Sequence, residues 1–191
     1  KSDKMKKKVI LDFLKAVKYL HQNEISHGDI KAENILLDSR FTVKLCDFGF
    51  CRTHVIAGDE EKKGTLFYAA PELFKQGKFN TLKADIYSIG ITLYTINELK
   101  TPFFGENREY IIQQILNGCL SFPFGFDQKL EKLILRCTDL NPLRRPSIDE
   151  IINDEYFKTD ISRQNSSASF FKANNKNNNK WNYLSVFNHV L

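Results

Sequence analysis

The chain has little cysteine, and its placement suits neither metal binding nor stapling. The four cysteines, at positions 46, 51, 119 and 137 of 191 residues, show no paired spacing of the zinc-ligand kind and are too few for a secreted disulfide framework. A reducing compartment, cytoplasmic or nuclear, is the expectation. No apolar run approaches the roughly 18 residues of a membrane span, and the lysine-rich start leads into an amphipathic pattern, not a signal sequence. No membrane partner is expected. Basic charge is scarce where a nucleic-acid face would need it. The formal net charge is +5, but residues 1–8 carry five lysines against Asp3, and residues 161–191 carry Arg163, Lys172, Lys176 and Lys180 with no acid. The middle of the chain is therefore net acidic, and basic ends read as solvated termini with no nucleic-acid partner. The chain also begins at Lys1 without an initiator Met, which raises the expectation of a fragment.

What is present fits a folded domain. A composition of 42% hydrophobic and 27% charged residues is a soluble globular profile, and the length suffices for one domain or a large part of a bigger one. Apolar residues recur at three- and four-residue steps from Ile10 through Phe13, Leu14 and Val17 to Leu20/His21, predicting an amphipathic helix over 5–22. "ILLDSRFTVKLCD" gives two short apolar runs around a polar turn at Asp38, Ser39 and Arg40, a small β-hairpin. Residues 50–70 have no periodicity and read as an exposed loop. After Pro71 the pattern is helical throughout. Residues 84–99 are apolar on nearly every side, interrupted by Ser88, Thr92 and Thr95, and so predict a helix surrounded by protein. Helices over 107–118, 127–139 and 147–157 follow, the last opening with Ser147 and Glu150 in capping-box spacing. From residue 159 the composition turns to Ser and Asn, predicting a disordered tail over 159–191 whose Trp181, Leu184 and Phe187 could line one helical face. His21, His54 and His189 carry no evident role.

Chemistry concentrates in "HGDIKAEN" and the hairpin that follows it. Asp29 is followed at +2 by Lys31, at +5 by Asn34 and at +18 by Asp47, the last within "DFG". Transfer of a phosphoryl group demands this kind of set: a carboxylate to orient an acceptor hydroxyl, acids and amides to hold a divalent cation, and a cation to offset phosphate charge.

The set, with "GTLFYAAPE" (64–72), "ADIYSIG" (84–90) and "LNPLRRPS" (140–147) in the same order, resembles the eukaryotic protein kinase family over residues 5 to about 158. The resemblance implies the helical large lobe of the protein-kinase-like fold, mainly α with a small β-hairpin at the cleft, occupying residues 1–158. It implies that Asp29 and Lys31 are catalytic, that Asn34 and Asp47 hold magnesium, and that ATP is the phosphoryl donor. It further implies that His27 and Phe48 pack beneath the site, that Asp85 bonds the catalytic-loop backbone, and that Glu72 and Arg145 form a buried ion pair. Lys31 at +2 is similar to the serine/threonine class, and "GENREYIIQQILNG" to its calcium/calmodulin-dependent and Snf1-like branch. Thr65 would line the substrate groove, Phe50 would favour Ser over Thr as acceptor, and Glu33 would face a basic residue upstream of it. The partner implied is a protein substrate; the oligomeric state is not implied.

Two departures stand out. Gly28 replaces an arginine with which many family members bind a phosphorylated activation segment, so a phosphate on Thr53 would lack its bidentate partner. The 191 residues also contain no Gly-x-Gly-x-x-Gly, and only 26 residues precede His27. The N-terminal β-rich lobe is thus expected to be absent, leaving a serine/threonine kinase fragment inactive on its own. The alternative is a catalytically dead, pseudokinase-type interaction module.

Overall fold

The computed structural model describes residues 2–38 and 42–158. Helix α1 (Ser2–Gln22) lays Val9, Ile10, Phe13, Leu14 and Val17 inward, each at most 2% exposed. The chain then passes through the loop at His27 and a short 3-10 turn (Ala32–Asn34) into strand β1 (Ile35–Leu37), which pairs antiparallel with β2 (Val43–Leu45). Ile35 faces Leu45 and Leu37 faces Val43. The turn lies partly outside the described residues, but Asp38 N–H donates to Thr42 O (3.1 Å) and Thr42 N–H to the Asp38 carboxylate (2.9 Å), closing the hairpin.

Helix α2 (Thr81–Glu98) is the axis of the domain. Twelve of its residues are buried, so it has no solvent face, as its nearly uniform apolarity requires. On one side Ile86, Ile89 and Leu93 join α1, the first hairpin and helix α4 (Gln128–Cys137) in one core. On the other, Tyr87 and Ile91 join Tyr68, Phe79, Phe103 and helix α3 (Arg108–Asn117) in a second. Side-chain caps begin the helices: Asn80 accepts from Lys83 N–H, Asn107 from Tyr110 N–H, and Asp127 from Lys129 and Leu130 N–H. Ser147 and Glu150 form a reciprocal capping box at helix α5 (Ile148–Ile152).

Three expectations need correction. Residues 50–70 are not simply an exposed loop. Strand β3 (Ile56–Ala57) pairs with β4 (Phe79–Asn80), and Ala57, Tyr68 and Ala70 are buried. A two-residue strand cannot show alternation, so periodicity could not reveal it. For the same reason the stretch after Pro71 is not helical throughout. Finally, 147–157 is two helices: α5 stops at Ile152, and Asp154 starts α6 (Glu155–Lys158) by accepting from Tyr156 N–H at 2.9 Å. The tail at 159–191, with Trp181, Leu184 and Phe187, lies outside the described residues.

Helices α2 and α4 cross where Gly90 lets them approach. A Cβ at residue 90 would sit 2.7 Å from Thr138 Cγ2 and 2.8 Å from Cys137 Cβ. Alanine would gain about 1 kcal/mol of helix propensity, whereas overpacking of a close crossing costs about 1–3 kcal/mol. Packing should win. Gly90→Ala is expected to lower the unfolding free energy by up to about 2 kcal/mol in a urea titration, and an unchanged or raised midpoint would show that the crossing yields freely.

Candidate active site

The loop before the hairpin is held from below by one carboxylate. Asp85 on α2 is 2% exposed and accepts from His27 N–H (2.7 Å) and Gly28 N–H (2.9 Å). Two consecutive amides aimed at one carboxylate turn the backbone sharply, and Gly28 adopts φ +78°, where a Cβ would lie 2.4 Å from Phe50 O. Glycine is therefore required at this position in this conformation. His27 is fully buried; its Nδ1 accepts from Asp29 N–H (3.3 Å) and its Nε2 bonds the Cys46 carbonyl (3.0 Å). That pair of bonds needs the tautomer with its proton on Nε2. Phe48 lies against the His27 ring at 5.1 Å between centroids, but its other side is open and it remains 49% exposed.

The turn delivers Asp29 into a tight polar cluster. Its Oδ1 accepts from Thr65 N–H (2.9 Å) and Thr65 Oγ (2.7 Å), and its Oδ2 from Lys31 Nζ (2.6 Å). Lys31 also donates to Thr65 Oγ at 2.8 Å, so lysine, threonine and aspartate close a triangle. Asn34 Nδ2 donates to the Asp29 carbonyl at 2.8 Å, directing its own Oδ1 away from that bond. Burial works against ionisation of Asp29, but the bonds from Lys31 and Thr65 outweigh it and hold the carboxyl below its ordinary range. Asp29 is thus a carboxylate favoured in its charged form and strongly solvated by protein.

Asp47 is brought beside Asn34 by the hairpin, since Cys46 N–H donates to Asn34 O at 3.0 Å. Its backbone is left-handed, φ +64°, an uncommon state for a non-glycine residue, and its side chain is exposed. Among the described residues its carboxylate has no hydrogen-bond or ion-pair partner. An exposed, unpartnered carboxylate on the residue after one bonded to Asn34 suits a hard cation that keeps most of its other ligands from water or phosphate. No larger cluster of His, Cys, Asp or Glu able to hold a metal occurs among the described residues.

The remaining candidates are spread around this centre. Glu33 accepts from Tyr68 OH at 3.0 Å, and Phe50 is partly buried beside Gly28. Glu72 receives both ends of the Arg145 guanidinium (2.6 and 2.7 Å), a bidentate pair whose arginine is 2% exposed and lies over the Tyr87 ring. Reading the sequence missed two residues of the frame. His21 is half-buried, its side chain only 7% exposed, and its Nε2 donates to Asp85 Oδ2 at 3.1 Å. Ser88 Oγ donates to Tyr68 O at 2.8 Å. Both were traceable: His21 continues the apolar stripe of α1 at four residues from Val17, and Ser88 follows Asp85 by one helical turn.

Comparison with known proteins agrees with the motif order. The family model of the protein kinase domain matches residues 1–157. Serine/threonine-protein kinase SIK2 of Gallus gallus is 32% identical over 184 residues, covering 95% of this chain and 23% of that protein. The carbon catabolite-derepressing protein kinase of Candida glabrata is 33% identical over 164 residues, 84% of the chain and 26% of its own length. Serine/threonine-protein kinase SIK1 of Mus musculus is 36% identical over 149 residues, 77% and 19% respectively. The chain therefore spans about a fifth to a quarter of the length of these relatives. No helix among the described residues is long and apolar enough to cross a membrane.

The lowered Asp29 pKa has a stability consequence. A carboxyl whose pKa is lower in the folded than in the unfolded chain contributes stability above its unfolded value of about 3.9, and that contribution disappears as pH falls through the folded value. Asp29→Asn should therefore lose less unfolding free energy than the parent chain between about pH 6 and pH 3. Urea unfolding at the two pH values decides it; equal losses would mean that the Lys31 and Thr65 bonds do not favour the charged form.

Proposed function

The chain belongs to the protein kinase domain family, and on that premise we propose that residues 1–158 form the helical large lobe of a serine/threonine protein kinase acting with ATP and magnesium. The observation that carries this reading is the Asp29 carboxylate, kept ionised by Lys31 and Thr65, with Asn34 bonded to the Asp29 carbonyl and the backbone pairing of Cys46 with Asn34 bringing Asp47 near. Asp29 orients the acceptor hydroxyl and receives its proton as the oxygen attacks the terminal phosphorus and the bond to the leaving nucleotide breaks. Lys31 offsets charge on the transferred group. Asn34 and Asp47 would hold magnesium, which supplies charge neutralisation along the phosphates. His27, Phe48, Asp85 and the Glu72–Arg145 pair position these groups and do not touch reacting atoms.

The substrate is a protein segment lying along Thr65, with Ser favoured over Thr by the bulk of Phe50. Glu33 has one donor in Tyr68, which leaves carboxylate lone pairs for a basic residue upstream of the acceptor. No glycine-rich phosphate loop occurs among the 191 residues, so the chain contributes the acceptor and metal side of a nucleotide cleft. On its own it should bind ATP at least about tenfold more weakly than an intact two-walled cleft.

The test uses the full-length natural protein and a serine peptide with upstream arginine. Loss of a positioned general base costs about 10²–10⁴ in rate. Asp29→Asn is expected to fall in that range while remaining folded by circular dichroism at neutral pH, and Asp47→Asn to abolish magnesium-dependent turnover. Near-full activity of either variant would sink the assignment. Glu33→Gln should narrow the preference for the arginine peptide without lowering the maximal rate on a peptide lacking it.

A further inference from the structure

A cluster between Phe50 and Gly64 is left unused by the catalytic reading. Arg52 exchanges both backbone bonds with Ser26 (3.0 and 3.1 Å), so it is fastened beside the catalytic loop two residues before Gly28. Its side chain is 9% exposed and lies 5.8 Å from the Phe79 ring centre. The guanidinium Nη1 donates to Phe50 O (3.2 Å) and sits 2.7 Å from where a Cβ on residue 28 would be. Arg52 thus fills the space that a side chain at position 28 would enter. Its Nη2 donates to the Glu61 carbonyl.

The Glu61 carboxylate completes the cluster. One oxygen meets His54 Nε2 at 2.6 Å and lies 3.9 Å from Arg52 Nε; the other accepts from Gly58 N–H at 3.0 Å. A guanidinium, an imidazole and a backbone amide converging on one point are the parts of an oxyanion cradle. Here the chain's own carboxylate occupies it. The Gly58 N–H, with His54 and Arg52, holds the Glu61 carboxyl below its ordinary range.

We propose that Glu61 is a built-in anion that clasps residues 52–61 to the catalytic loop through Arg52, so that this segment is ordered without any added phosphate. A carboxylate brings one charge where a phosphate brings about 1.5 to 2, so the clasp is weaker than a phosphorylated one but permanent. It lies at the start of a chain of contacts. Thr81 N–H donates to Val55 O (2.8 Å), Ile56 and Ala57 pair with β4, and the segment runs on to Thr65 at Asp29. The consequence for catalysis rests on the kinase reading; the clasp itself does not.

Hydrogen exchange on the 191-residue chain tests it without ATP, so failure here is separable from failure of the kinase assignment. Glu61→Gln keeps the shape and removes the charge, and Arg52→Ala removes the cation. Each is expected to speed amide exchange over 53–63 at least fivefold while α2 amides keep their protection. The double variant should exceed neither single by more than twofold, because both break one device. Glu60→Gln is the control, since Glu60 makes none of these bonds. A smaller effect of Glu61→Gln, an additive double, or an equal effect of Glu60→Gln would each overturn the clasp. If Arg52→Ala also loses α2 protection it has unfolded globally, and the comparison of Glu61→Gln with Glu60→Gln then decides.

Discussion

Everything at the site hangs from the buried carboxylate of Asp85. Taking an anion out of water costs several kcal/mol unless donors replace the solvent. Asp85 finds three: the amides of His27 and Gly28 and the Nε2 of His21. The amides have the converse need, because they lie in a loop with no ladder or helix to satisfy them. Each side removes the other's desolvation cost, and neither would be stable buried alone. The geometry that satisfies both forces the left-handed turn at Gly28, and that turn presents Asp29 to Lys31 and Thr65.

Asp85 is one of three loop anchors along α2. Thr81 Oγ donates to His54 O at 2.9 Å, Asp85 accepts from the loop at His27, and Ser88 Oγ donates to Tyr68 O at 2.8 Å. Spacings of four and three residues put all three on one face. A largely apolar helix thus carries a polar stripe, and three irregular segments are registered against a single element. Glu72, from the segment after Tyr68, is tied to the same helix, since Arg145 bonds both its carboxylate and the Lys83 carbonyl (2.7 Å).

What the sequence made legible follows from how far each interaction reaches. Helix α1, the buried character of α2 and the capping box at Ser147 depend on spacings of two to four residues, and these were readable. The spacing of Asp29, Lys31 and Asn34 was readable too, because a single loop carries all three. The pairing of Ile56 with Asn80 joins residues 24 positions apart over two-residue strands, and no local pattern encodes it. The break between α5 and α6 turns on the Asp154 cap inside an apparently continuous amphipathic pattern. His21 looked idle because its partner lies 64 residues away, and the link between Arg52 and Glu61 was not legible because it depends on Gly28 having no side chain.

That last dependence reaches Asp29. Thr65 supplies two of the hydrogen bonds that keep Asp29 ionised, and its hydroxyl also accepts from Lys31. Thr65 belongs to the segment that Arg52 and β3 hold in place, not to the catalytic loop. Were residues 52–65 to detach, Asp29 would lose both Thr65 bonds and keep Lys31, a side chain with several rotatable bonds and no second anchor in the triangle. Water would enter as the segment left, weakening the remaining Lys31 attraction as the local dielectric rose. The charge and aim of the Asp29 carboxylate are therefore properties of two segments together. A cluster that ordered the second segment would act on the Asp29 carboxylate of the first through hydrogen bonds already in place.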